Sequence, residues 1–190
     1  MSRIWLVRHG PTHVKTFVGW TDVPADLSDT AAIARLENAL PADVPIVSST
    51  LDRAIKTADA IQGTRPRLPH DPRLCETHFG DWENLSWSQI QALDAALARR
   101  VFEDPGPHAP PGGENWNDFS ARVYSGLDAI TGDAIVVAHM GVILAVLQRA
   151  LGCSAYEALG HKIDNLSITS ITRATSQSPN WSAHRINHIP

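Results

Sequence analysis

The sequence predicts an α/β fold, a three-layer α/β/α sandwich around a largely parallel central sheet. Three observations predict it. Short apolar runs at residues 4–7, 44–48 and 134–138 recur between segments with helical spacing. The first and last of these are continuous rather than alternating, as befits strands buried on both faces. Strands that alternate with helices imply parallel neighbours covered from both sides.

In order along the chain, residues 3–8 form the first strand and a polar, Gly/Pro-marked loop follows over residues 11–28. Ser28 fits an N-cap for a helix over residues 29–40, with Ala32, Ile33, Leu36 and Leu40 on one face. Pro41 ends that helix. Residues 44–48 make a second short strand. A helix from Thr50 through Arg53, Ile55, Ala58 and Ile61 stops near Gly63. Residues 67–70, set between prolines, suit a third strand of edge type.

The middle is less regular, with aromatics and acids over residues 74–85. A helix is expected over residues 86–101. Residues 105–113 hold four prolines and three glycines in nine positions and read as a loop. Helical spacing returns in Trp116, Phe119, Val123, Leu127 and Ile130. Residues 134–138 (AIVVA) are the most strand-like run, and a helix follows over residues 142–151. The tail reads as two strands, 167–173 and 181–186. No repeat or low-complexity tract appears. Strands on both sides of the 105–113 loop imply a shared sheet, so residues 1–190 are expected to form a single domain.

Composition excludes several classes. The chain has 190 residues, 43% of them hydrophobic and 19% charged, which suits a soluble globular domain that buries its own core. A net charge of −4 gives no general attraction to nucleic acid or to an anionic membrane, so neither is an expected partner. Two cysteines, Cys75 and Cys153, make no disulfide framework. The N-terminal apolar run is too short for a signal peptide, and no stretch approaches a membrane span. A cytoplasmic protein is expected. Nine histidines raise the question of metal, but no HExxH or HxH motif is present, and no metal site is expected.

Two strands end in histidine. Residues 4–7 run into Arg8-His9-Gly10, and residues 135–138 run into His139-Met140-Gly141. Ligands of open α/β sheets bind beyond the carboxyl ends of the strands, so both imidazoles belong in one crevice. Ser48-Ser49-Thr50-Leu51-Asp52-Arg53 follows the second strand, placing Arg53 in the first turns of a helix, where an anion is favoured. Arg8 and Arg53 are guanidinium forks suited to oxyanions. With His9 and His139 they describe a pocket for a tetrahedral anion, most simply a phosphoryl group.

Four segments in this order, LVRHGPTH, SSTLDRAIKTA, ETHFGDWE and VVAHMGV, resemble the histidine phosphatase superfamily, also called phosphoglycerate mutase-like. The resemblance runs from residue 3 to about residue 170 and includes PPGGENWNDFSARV. It implies a phosphoglycerate mutase-like fold and a metal-independent phosphoric monoester hydrolase without a cofactor. His9 resembles the nucleophile that becomes phosphohistidine. Arg8, Arg53 and His139 resemble the rest of the phosphate pocket. Glu76 resembles the acid that protonates the leaving oxygen, its pKa raised by apolar neighbours such as Phe79 and Trp82. Glu83 is its rival for that role.

Other positions fit less closely. Thr12 matches the RHGxT pattern, and its hydroxyl either enters the pocket or caps the loop. Lys15 stands where family members often carry Asn; it either adds a point charge or points to solvent. Met140 replaces a small residue, with its backbone N–H still available to phosphate. GWTDVPADLSD has two residues added before Leu27 relative to the family's pattern, which weakens substrate contacts from Trp20 and Thr21. Trp20, Trp82 and Trp116 fall near the crevice as candidate substrate contacts.

The length and the PPGGE segment resemble α-ribazole phosphatases and broad-specificity phosphatases, so the partner is a small phosphorylated metabolite. Two alternatives share the fold. One is a phosphoglycerate mutase, although the segment from Glu76 to Gly112 lacks the long insertion with which such mutases shield the site. The other is a non-catalytic phospholigand-binding protein. The fold leaves monomer and homodimer open.

Overall fold

The computed structural model describes residues 2–173 and 180–190. Five strands form one sheet: β1 (Arg3–Arg8), β2 (Ile46–Ser48), β3 (Ala134–Ala138), β4 (Ile168–Thr172) and β5 (Ser182–His188). Their spatial order is β2-β3-β1-β4-β5. β1 and β2 both pair parallel with β3, while β4 runs antiparallel to β1 and β5 antiparallel to β4. Four strands therefore share one direction and β4 alone opposes them.

The helices are α1 (Thr30–Ala39), α2 (Asp52–Ala60), α3 (Trp87–Glu103), α4 (Trp116–Asp128), α5 (Met140–Leu151) and the short α6 (Ala155–Leu159). They cover the sheet from both sides. In β3, Ala134, Val136 and Ala138 pack with Phe119 and Val123 of α4 and with α5, whereas Ile135 and Val137 pack with Leu36 of α1 and Ala54 and Ala58 of α2. β1 divides in the same way, with Ile4 and Leu6 on the first face and Val7 on the second. Side chains alternate between faces while both faces are buried, so the sequence must be apolar through residues 4–7 of β1 and throughout β3. No helix among the described residues is long and apolar enough to cross a membrane.

Several boundaries differ from the sequence reading. Asp29, not Ser28, caps α1, its carboxylate accepting from Ala32 N at 2.9 Å. Ser28 is withdrawn because its own N–H donates to Asp26 Oδ1 in a side-chain turn. Residues 67–70 do not form a strand. Arg67 makes an isolated parallel bridge to Ile46, and the prolines on either side stop the ladder there. α3 breaks at Asp94, whose backbone is extended and whose carboxylate caps the next turn at Leu97 N. α6 was not foreseen; it is one turn and a half opened by the Ser154–Glu157 capping box.

Two buried arginines tie helix ends together. Arg65 donates to the carbonyls of Glu37 and Leu40 at the end of α1, of Ile61 and Gln62 after α2, and of Pro41. Arg173 does the same for Leu127, Ile130 and Gly132 at and beyond the end of α4. Carbonyls at a helix end are short of helical donors, and a cation there also meets the negative end of the helix dipole.

Candidate active site

The strand ends deliver the site. His9 N donates to Ala138 O at 3.0 Å and Ser49 N donates to Val137 O at 3.2 Å, so the residues that follow β1, β2 and β3 emerge side by side. The imidazoles of His9 and His139 lie with ring centroids 5.1 Å apart. Both are buried, at 6% and 0% exposure, despite coming from loops that start at the sheet edge.

His9 is held in one tautomer. Its Nδ1 sits 2.7 Å from Gly10 O, and a carbonyl only accepts, so Nδ1 carries the proton and Nε2 keeps a free lone pair. Burial and the neighbouring Arg53 push its pKa from 6.5 down to about 3. The backbone around it is fixed by Gly10 N donating to Thr57 Oγ1 at 2.9 Å and by Asn165 Nδ2 donating to His9 O at 2.8 Å. His139 lies 2.7 Å from Ser49 Oγ through Nε2. Burial, then His9 and the two arginines, holds its pKa well below the usual value.

Both arginines are anchored from behind. Arg8 donates to Ile163 O, and Arg53 donates to Gly19 O at 2.6 Å and Thr21 O at 3.1 Å. Each lines the cleft. Their burial disfavours the charged form, and nearby carboxylates, Glu76 first for each, only partly offset it, which is a setting in which an incoming anion gains.

Glu76 lines the same cleft. Its Oε2 accepts from Gly141 N and its Oε1 from Thr77 N, each at 3.1 Å. Burial raises its pKa above the ordinary carboxylate value. A Cβ at Gly141 would collide with Glu76 Oε1, so glycine is required there. Glu83 has a different task. Its carboxylate accepts from the N–H groups of Gly19, Trp20, Thr21 and Phe79 and from the Thr21 hydroxyl. Those bonds hold its pKa low, and it does not line the cleft. Glu83 folds the loop that Glu76 faces; Trp20 Nε1 then donates to Glu76 O at 2.9 Å.

The cleft has a volume of about 390 Å³, with Arg8, His9, Arg53, Glu76 and Gly141 at one end. Thr12, Lys15 and Met140 line it as well. Lys15 and Met140 are exposed. Of the three tryptophans, Trp116 alone lines the cleft, and it opens α4 rather than sitting in a loop. Trp82 is buried at 2% exposure in a separate cluster with Ile90 and Ala98, and so is not a pocket wall. Among the described residues no three metal-ligating side chains converge. Sequence reasoning assigned no role to Ser49, Thr57 or Asn165. Ser49 lies in the SSTLDR segment after β2, so its place was readable. Thr57 and Asn165 reach residues 9–10 across long stretches of chain and carry no local signal.

Comparison with known proteins agrees with this geometry. The model of the histidine phosphatase superfamily (branch 1) matches residues 4–188. A glucosyl-3-phosphoglycerate phosphatase of Mycobacterium tuberculosis is 36% identical over 165 residues, covering 76% of this chain and 73% of the relative. An adenosylcobalamin/α-ribazole phosphatase of Salmonella typhimurium is 30% identical over 161 residues, covering 78% and 79%. The native structure of a mycobacterial glucosyl-3-phosphoglycerate phosphatase superposes with a TM-score of 0.82 at 27% identity over 100% of both chains. The chain also matches a bifunctional protein of Mycobacterium tuberculosis at 32% identity but spans only 44% of its length.

Proposed function

The chain belongs to the histidine phosphatase superfamily (branch 1), and we propose that it is a metal-independent phosphomonoesterase that hydrolyses a small phosphorylated metabolite through phosphohistidine on His9. The observation that carries this reading is the His9 imidazole itself. It is neutral, buried within electrostatic reach of Arg53 and Arg8, and has Nδ1–H committed to Gly10 O. The phosphatase-named relatives support the reaction class.

In this reading the phosphoryl oxygens lie against Arg8, Arg53 and His139, whose positive ends stabilise the charge of the transition state. His9 Nε2 attacks phosphorus as the ester P–O bond breaks. The Glu76 carboxyl gives its proton to the leaving alkoxide, which departs as the alcohol. Glu76, now a carboxylate, takes a proton from water. The resulting hydroxide displaces His9 from phosphorus and releases inorganic phosphate. The raised pKa of Glu76 suits the first half of this cycle, because a carboxyl must still hold its proton when substrate binds. The α5 N-terminus, with Met140 and Gly141 on the cleft, adds its dipole to the binding of the anion.

The test is phosphate release in EDTA from 4-nitrophenyl phosphate, 3-phosphoglycerate and α-ribazole phosphate, wild type beside His9→Ala. Turnover that survives EDTA and vanishes with His9 is the expected result. Equal hydrolysis by the variant would overturn the mechanism.

A further inference from the structure

The apolar lining of the cleft bears on the leaving group. Phe17, Phe79, Phe102 and Trp116 line it, each half-buried, with Leu144 and Leu159 beside them. The rings support one another. Phe17 meets Phe79 edge-on with centroids 5.3 Å apart and lies 5.4 Å from Phe102. Trp116 has committed its indole N–H to Gln148 Oε1 at 2.7 Å, so it offers a ligand its apolar faces. Aromatic rings packed in this way receive a flat apolar group by offset or edge-on stacking.

The polar side chains of the cleft are poorly suited to anything richly hydroxylated. Among the described residues that line it there is no Asp, Asn or Gln. Its two carboxylates are both occupied. Glu76 accepts from Thr77 N and Gly141 N. Glu114 is paired through both oxygens with Arg122 and also accepts from His78 N. Three threonine hydroxyls, Lys15 and His108 remain. A sugar or a phosphorylated acid would surrender bonds to water and find few replacements, whereas an apolar ring surrenders none.

We propose that the cleft selects a phosphomonoester whose leaving alcohol carries a planar apolar ring, aryl or heteroaryl, over sugar phosphates and phosphorylated carboxylic acids. This rests on the phosphatase reading above. The selection resides in binding rather than in chemistry, so the substrates compared must have leaving alcohols of similar acidity.

The experiment measures kcat/KM for 2-phenylethyl phosphate, glucose 6-phosphate and 3-phosphoglycerate. All three release aliphatic alcohols, which removes the advantage a phenolate would bring. The expected result is a preference of about tenfold or more for 2-phenylethyl phosphate, the amount by which burying one ring differs from leaving it wet. Phe102→Ala is expected to shrink that ratio through KM. The wild-type ranking needs no variant, so it stands even if Phe102→Ala folds poorly. Hydrolysis that depends on His9 but favours glucose 6-phosphate or 3-phosphoglycerate would overturn the substrate inference and leave the phosphatase reading intact. Release of phosphate from none of the three, nor from 4-nitrophenyl phosphate, would overturn both.

Discussion

Arg122 and Glu114 face each other fork to fork, with Nε and Nη2 each 2.7 Å from a carboxylate oxygen, directly behind the segment that carries Glu76. The other donors of Arg122 reach the carbonyls of Arg73 at 2.9 Å, Cys75 at 3.1 Å and Glu76 at 3.2 Å. The pair touches no reacting atom in the proposed mechanism. It sets where the Glu76 backbone lies.

Arg122→Lys keeps the charge and loses the fork. It is expected to lower kcat about tenfold with KM little changed, because phosphate is held by other residues, and to cost about 2 kcal/mol of stability from the carbonyls left unpaired. Steady-state kinetics with a thermal melt checks both. A rise in KM alone would show that Arg122 acts on binding instead.

Glu76→Gln removes the transferable proton. Turnover of an alkyl phosphate is expected to fall about 10²–10⁴-fold. With 4-nitrophenyl phosphate the first step needs no acid, so a burst of nitrophenolate should persist while the following turnover is slow. Equal losses on both substrates without a burst would remove Glu76 from the acid role.

The pH profile follows from the same carboxyl. Burial raises the Glu76 pKa, and the acid is needed protonated, so kcat/KM should fall as pH rises through that raised value. The limb should be absent from what activity Glu76→Gln retains. His9 loses its lone pair only near pH 3 and sets no limb in the neutral range.

Stability should respond to acid with a definite sign. His9 and His139 are neutral in the fold but charge in the unfolded chain below about pH 6.5. Each therefore removes about 1.4 kcal/mol per pH unit as pH falls from 6.5 toward the folded value. Glu76 opposes them, because its raised pKa makes the fold hold a proton that the unfolded chain releases. Two histidines against one carboxyl leave a net loss on acidification. Urea unfolding at pH 7 and pH 5 should show it, and His9→Asn should flatten the slope.

Gly141→Ala puts a methyl group against Glu76 Oε1 and within 3.2 Å of the Phe119 ring. The cost is expected to be about 1–3 kcal/mol, with kcat reduced more than tenfold because the carboxyl must move. Arg65→Ala is the structural counterpart. It removes a side-chain donor from five carbonyls and should cost about 3–5 kcal/mol, while kcat and KM of the folded fraction stay unchanged.

Much of the site was readable because its residues sit where a pattern breaks. Residues 4–7 of β1 and all of β3 are apolar, and the chain then turns polar at Arg8-His9 and at His139, so the strands announced themselves and their ends marked the crevice. Arg53 was placed by the turn from β2 into α2. What could not be read depends on partners distant in the chain. Residues 67–70 have the composition of an edge strand, but only one ladder bridge forms. Trp82 and Trp116 look alike in sequence; the contacts of α3 bury the first and leave the second on the cleft. Ser28 and Asp29 are both good caps, and Asp26 decided between them.

The placement of β1 has a further consequence. Its Ile4 lies between Ala134 and Ile171 in the finished sheet, so β1 is made long before either of its neighbours. At ribosomal rates of about 5–20 residues per second, β1 waits roughly ten to thirty seconds for them. Pairings so distant along the chain also make for slow folding. During synthesis an apolar strand ending in Arg8 and His9 is therefore unpaired, and the proposed phosphate pocket has yet to be assembled. The anion site is a product of complete folding and offers a nascent chain no early ligand to fold around.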